Sequence, residues 1–106
     1  MDSYLFIYTT CKNKDEAKLI GRTLVSERLV ACVNILEGME SIYTWNQELV
    51  EDKEAILISK TISHNYYKVE LRIKELHSYT NPCVVAFSIH DGSKNYLQWI
   101  NESIGK

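Results

Sequence analysis

Three cysteines and three histidines are the side chains here best suited to hold a soft cation or to attack an electrophile. Cys11, Cys32 and Cys83 are odd in number and widely spaced. A disulfide framework favours an even count and a structural zinc site favours close pairs, so the thiols read as reduced. The chain contains no GxSxG elbow, glycine-rich phosphate loop, HExxH helix or CxxC pair, which argues against the common catalytic frameworks. Each candidate also has a plainer reading. Cys32 lies in an apolar run, where a free cysteine packs as a small hydrophobe. His77 ends a helical pattern, where a cation complements the helix dipole. His64 and His90 have no partner legible in the sequence and are expected to be exposed.

The elements that must position these residues follow from apolar periodicity. Tyr4 to Thr10 has the composition of a strand. Asn13, followed by Glu16, resembles a capping box, and Ala17, Ile20 and Leu24 then recur at helical spacing. Gly21 lies on that stripe, where it permits close approach to a sheet. Leu29 to Ile35 reads as a strand buried on both faces. A bend or bulge is expected at Leu36-Glu37-Gly38, before Ser41 to Trp45 continues the strand. Asn46-Gln47 marks a tight turn, and the return strand spans Leu49 to Thr61. Ser63 is the expected N-cap of a second helix with Tyr66, Val69, Ile73 and Leu76 on its apolar face and a Glu70–Lys74 pair outside. Pro82 marks the end of the helix-closing segment. Cys83 to Ile89 reads as a last central strand, and Ser93 caps a short terminal helix bearing Tyr96, Trp99, Ile100 and Ile104. The order is βαββαβ with a helix appended, an α+β, ferredoxin-like arrangement over one domain, residues 1–106.

The second and third strands are too long for such a domain. Leu29 to Trp45 covers roughly 55 Å when extended, at ~3.3 Å per residue. A chain of this length has a diameter of only about 35 Å. Either the hairpin folds back at Gly38, or its tip, with Ile42, Tyr43 and Trp45, packs on another copy of the chain in a closed oligomer. The second arrangement is expected, because the aromatic tip is costly to leave in water.

Composition narrows the partners. Twelve basic and fourteen acidic residues give a net charge of -2, with no basic stripe for nucleic acid. The apolar run from Tyr4 to Tyr8 is too short to span a bilayer. The acidic start, Met1-Asp2, is unlike a signal peptide, which makes the cytoplasm the expected location.

Several blocks resemble one family along almost the whole chain. Ala31-Cys32-Val33-Asn34 resembles its "ACVN" strand, and Ser41 to Trp45 its "SxYxW" segment. Glu54 through Lys60-Thr61 is similar to its "E…KT" strand, His77-Ser78-Tyr79 to "HPY", and Tyr96 to Ile100 to "YLxWI". The chain is thereby identified as resembling the CutA divalent-ion tolerance proteins. That resemblance implies a homotrimer of ferredoxin-like subunits, non-enzymatic, that responds to metal ions, with copper or another divalent cation as the only cofactor implied. By position it carries over Cys32 and His77 as metal ligands, with Cys11 and Cys83 as secondary candidates. The family usually has proline at Ser78, glutamate at Thr80 and Cys83, and often glycine at Gln47. Cys83 would exchange a carboxylate for a softer ligand.

Tyr43, Trp45, Glu54, Lys60 and Tyr79 are the expected lining of a pocket between subunits. Ferredoxin-like acylphosphatases need an arginine in the loop after the first strand, whereas Cys11 to Lys14 carries lysines only. Two other readings differ in class. One is a trimeric module like the PII signalling proteins, binding a small anion or nucleotide between subunits. The other is a trimeric scaffold for partner proteins that sequence does not name.

Overall fold

The computed structural model describes residues 3–105; Met1 and Asp2, whose acidity bears on localisation, lie outside them, as does Lys106. The first strand, β1 (Tyr4–Cys11), alternates strictly, with Leu5, Ile7, Thr9 and Cys11 turned inward. Asn13 then caps α1 (Lys14–Ser26), its side chain accepting the Glu16 N–H at 2.9 Å. Asp15 and Glu16 place negative charge in the first turn, where the helix dipole favours it. Ala17, Ile20, Gly21 and Leu24 face the sheet. At Gly21 a Cβ would stand 2.9 Å from Val33 Cγ2, so glycine lets helix and strand meet.

The next segment departs from the sequence reading. Leu29–Ala31 is a connection, not strand, and β2 is Cys32–Trp45. Arg28 takes φ of +59° and turns the chain, and the N–H groups of Leu29 and Val30 are captured by the Leu24 carbonyl. The apolar run serves to plug the core with Val30 rather than to extend a ladder. Nor is β2 buried on both faces: none of its residues is fully buried, and it is an edge strand in the order β2-β3-β1-β4. Its register with β3 (Glu48–Ile62) shifts between Leu36 and Met39, where Gly38 has φ of +81°. That is the anticipated bulge. Asn46 and Gln47 both have positive φ, closing the hairpin by a two-residue turn.

The hairpin does not fold back. It runs on antiparallel to Trp45–Glu48, and the molecule measures 45 × 25 × 22 Å. Ile42, Trp45 and Leu49 are 67%, 57% and 69% exposed.

Ser63 does not cap the second helix. Ser63–Asn65 forms one 3₁₀ turn, and α2 (Tyr66–Leu76) starts only after it, with Asn65 at the cap position. Asn65 gives its side-chain amide to the Leu29 carbonyl, and the Ser63 hydroxyl accepts the Ser3 N–H. Tertiary contacts have taken the groups that local capping would use. The last strand, β4 (Val84–Ile89), pairs antiparallel with β1 at the sheet's other edge, so it is not central either. Ser93 caps α3 (Lys94–Ile104), which ends on Gly105 in the left-handed region.

Residues of β1, β3, α1 and α2 build the core on one face of the sheet: Ile7, Ile20, Leu24, Leu57, Val69 and Ile73 are fully buried. The opposite face carries Leu36, Val85 and Phe87, all exposed, with Phe6 edge-on to Phe87. Among the described residues no helix is long and apolar enough to cross a membrane.

Candidate metal centre and the adjoining groove

Cys11 is the last inward-facing residue of β1, and Glu16 lies in the first turn of α1, so the intervening turn brings them together. The chain then returns at the end of α2 and inserts His77 beside them. Their ligand atoms (Sγ, a carboxylate oxygen and an imidazole nitrogen) all lie within 4.8 Å of one another. The His77 side chain is 0% exposed. His77 leaves the helix in an extended conformation and turns its ring inward, so the helix-dipole reading gives way to a buried role.

Hydrogen bonds fix each group. His77 Nε2 lies 2.8 Å from the Thr10 carbonyl oxygen, which can only accept, so Nε2 carries the proton. Nδ1 accepts the Tyr79 N–H at 3.1 Å and stands 3.9 Å from Glu16 Oε2. Glu16 accepts the Lys12 N–H on Oε1 at 2.9 Å and the Ser78 N–H on Oε2 at 2.8 Å. Burial alone would push the Glu16 carboxyl up. Hydrogen bonds from the Ser78 side chain and from the Lys12 and Ser78 backbone, with His77 nearby, hold it below its ordinary value instead. The Cys11 thiol is pushed up to about 12, by burial first and then by the charges of Glu16 and Glu54.

Cys32 is not part of this cluster. It pairs with Lys60 in the ladder, and alternation puts both on the sheet face opposite Leu57, Ser59 and Thr61. There the Cys32 sulfur lies 3.6 Å from the Tyr96 hydroxyl, and Lys60 Nζ donates to Tyr96 at 3.1 Å and to Asn34 at 3.4 Å. One chain therefore does not bring Cys32 to His77. His64 and His90 are exposed, as their lack of partners in sequence suggested.

Four of the five expected pocket residues do converge. Within one chain, Tyr43, Trp45, Glu54 and Tyr79 line a groove of about 560 Å³ with Cys83, running from the hairpin arm to the segment before β4; Lys60 lies elsewhere. Glu54 is 8% exposed and accepts the Ser41 hydroxyl on Oε1 and the Tyr79 hydroxyl on Oε2, each at 2.6 Å. The Tyr79 phenol is held well above its ordinary value by burial and by Glu54, and the Cys83 thiol is raised by the same two causes. The groove and the buried cluster share a wall. Tyr79 gives its backbone N–H to His77 and its hydroxyl to Glu54.

Glu16 is the residue that sequence reading missed as a site member. Its place in a capping box explained it too well. The overlooked signal was its position just after an inward-facing strand end, where a capping side chain is carried into the core beside Cys11.

Residues 5–103 match the family described as CutA1 divalent ion tolerance protein. A protein of Thermus thermophilus named divalent-cation tolerance protein CutA is 44% identical over 99 residues, covering 93% of this chain and 96% of that one. A solved structure of a CutA1 divalent ion tolerance protein from Ehrlichia chaffeensis superposes with a TM-score of 0.95 at 25% identity, covering 100% of this chain and 99% of that chain. Another, described as the periplasmic divalent cation tolerance protein CutA of Archaeoglobus fulgidus, gives 0.92 at 37% identity, covering 95% and 98%.

Proposed function

Because the chain belongs to the CutA1 divalent ion tolerance family, we propose that it is a non-enzymatic divalent-cation tolerance protein whose Cys11, Glu16 and His77 take up copper or a cation of similar softness. The convergence of these three donors carries the reading. A thiolate, an imidazole and a carboxylate suit copper or zinc, whereas calcium and magnesium want several oxygens. Nδ1, the ring nitrogen that keeps its lone pair, is the one turned towards Glu16. A metal there must displace the thiol proton of Cys11 and compete with the Tyr79 N–H, so uptake releases acid.

The same reading places the protein in the cytoplasm as a homotrimer. A ligand thiol has to stay reduced, and all three cysteines are free. The exposed apolar face of the sheet and the uncovered hairpin tip are what a closed ring of copies would bury. No anion-binding reading gains support from the groove, whose lining has a carboxylate and no lysine or arginine.

Calorimetric titration with copper(II) and zinc(II) under anaerobic conditions tests the site. Cys11→Ala, which removes one of the three donors, is expected to weaken binding by about a hundredfold or more, since loss of a group that merely supports a ligand already costs about ten- to a hundredfold. Cys32→Ser is expected to leave it unchanged. The opposite pattern would move the site to the other face of the sheet.

A further inference from the structure

Ser78 is not one of the three donors of the cluster, yet it governs where one of them stands. We propose that Ser78 is a positioning residue: its backbone N–H and hydroxyl hold Glu16 as the oxygen donor beside His77. In doing so it raises the affinity of the site for zinc(II) relative to copper(I). This inference rests on the cation reading of Cys11, Glu16 and His77.

The geometry is set at the end of α2. The His77 N–H still bonds the Ile73 carbonyl at 2.9 Å, and the chain then leaves the helix, with His77 at φ −80° and ψ 144°. That extended step aims the N–H of Ser78 at the first turn of α1, where it reaches Glu16 Oε2 at 2.8 Å. The same oxygen stands 3.9 Å from His77 Nδ1. One ligand and the anchor of another are therefore successive residues.

The other backbone anchor acts differently. The bond from the Lys12 N–H to Oε1 spans four residues and ties the carboxylate to the start of its own helix. The bond from Ser78 spans 62 residues and ties it to the segment that carries His77. Without Ser78, Glu16 keeps its place at the helix start but not its fixed distance from the imidazole. Ser78 is exposed and adds nothing to the apolar core, so its role lies in what it holds.

The acceptor sites of the carboxylate fix what kind of ligand Glu16 can be. An ionised carboxylate has about four lone-pair sites. The Lys12 N–H, the Ser78 N–H and the Ser78 hydroxyl occupy three of them. Glu16 is left to bind through a single oxygen. That suits zinc(II), which takes thiolate, imidazole and one carboxylate oxygen in a tetrahedral set. Calcium wants several oxygens, often both of one carboxylate. Copper(I) is served by the soft thiolate and the imidazole and needs no carboxylate. Glu16 thus supplies the part of the affinity that separates zinc(II) from copper(I), and Ser78 controls it.

The test compares zinc(II) and copper(I) affinities of the full chain, without oxygen, in Ser78→Pro, Ser78→Ala and Ser78→Thr. Proline lacks the N–H, and His77 already has the extended conformation that precedes a proline. Ser78→Pro is expected to weaken zinc(II) binding by about tenfold or more, the scale of lost ligand support, and to change copper(I) by less than about twofold. Ser78→Ala keeps the N–H and should lose about threefold for zinc(II), which Ser78→Thr restores. In a Glu16→Gln chain, Ser78→Pro should cause no further loss, because the two changes remove one interaction. Equal losses for both metals, or losses that add to Glu16→Gln, make Ser78 a structural residue and overturn the proposal. So does unchanged zinc(II) affinity in Ser78→Pro and Ser78→Ala. If Ser78→Pro does not fold, Ser78→Ala decides alone, and no loss of zinc(II) binding there overturns it. Binding of both metals that survives Cys11→Ala unchanged refutes the cation reading and this inference with it. Binding that needs Cys11 but ignores Ser78 refutes this inference only.

Discussion

The buried cluster around His77 and the hairpin tip around Trp45 are opposite ways of using a β-rich chain. In the first, β1, α1 and the segment after α2 converge, and each of the four backbone and ring donors finds an acceptor. In the second, β2 and β3 support each other chiefly by their ladder, and Ile42, Trp45 and Leu49 stay more than half exposed. One end of the molecule is finished within a single chain. The other is complete only when something covers it. In the proposed trimer, stability of the subunit resides near the cluster and assembly in the arm, and substitutions should separate the two.

The largest effect is expected from the arm. Trp45→Asp combined with Leu49→Asp places charge where each copy would bury an apolar group, at about 2 kcal/mol of lost burial per side chain before any desolvation. For the trimer proposed above, light scattering should fall from the mass of three chains to that of one. Circular dichroism should keep its strand signal, because the two side chains are not part of the core. An unchanged mass would place the adhesive surface on the sheet face around Phe87 instead.

The cluster should answer to pH. Glu16 has a folded pKa below its ordinary value of 4.5, so its contribution is fully present above that value and disappears as pH falls through the folded pKa. Glu16→Gln is expected to cost about 1–2 kcal/mol at neutral pH, the scale of a lost charge-assisted hydrogen bond. The gap to the parent protein should close below pH 4.5. Glu27 and Glu70 are also lowered, by Arg72 and Lys74, but these are surface pairs that solvent screens. Urea unfolding at a series of pH values separates the contributions, and a gap that persists at low pH would assign the role of Glu16 to packing rather than charge.

How much of this was legible beforehand depended on range. Features decided within a few residues were readable: the first strand, the Asn13 cap, the bulge at Gly38 and the Asn46-Gln47 turn. The length of the hairpin was readable too, since strand rise and chain length are both known. What failed was decided by distant partners. Leu29–Ala31 has the composition of a strand, yet the end of α1 claims its N–H groups. Ser63 has the chemistry of a cap, yet the helix begins later because Asn65 is engaged by Leu29. The site shows the same division. Cys11 and His77 stand out by type, but whether His77 meets Cys11 or Cys32 depends on which sheet face each occupies. Alternation settles that only once the register is known. Glu16 was hidden by having an adequate local explanation.

Between the finished end and the unfinished one lies Gly38, where the smallest effect is expected. Its φ of +81° belongs to the left-handed half of the map, and nothing lies within 4 Å of the Cβ that a larger residue would add. Gly38→Ala therefore meets no neighbour, and its cost is the backbone's alone, about 1 kcal/mol. Gly38→Asn should cost less, because asparagine tolerates the left-handed region. Both values, read from urea midpoints, should be independent of Glu16 and of pH. Light scattering on the same two variants then tests what the bulge is for. If the strain stays local, the mass remains that of three chains. If Gly38→Ala shifts the mass towards one chain while Gly38→Asn does not, the bulge is what aims the arm, and the boundary between the two regions is set by a single backbone conformation.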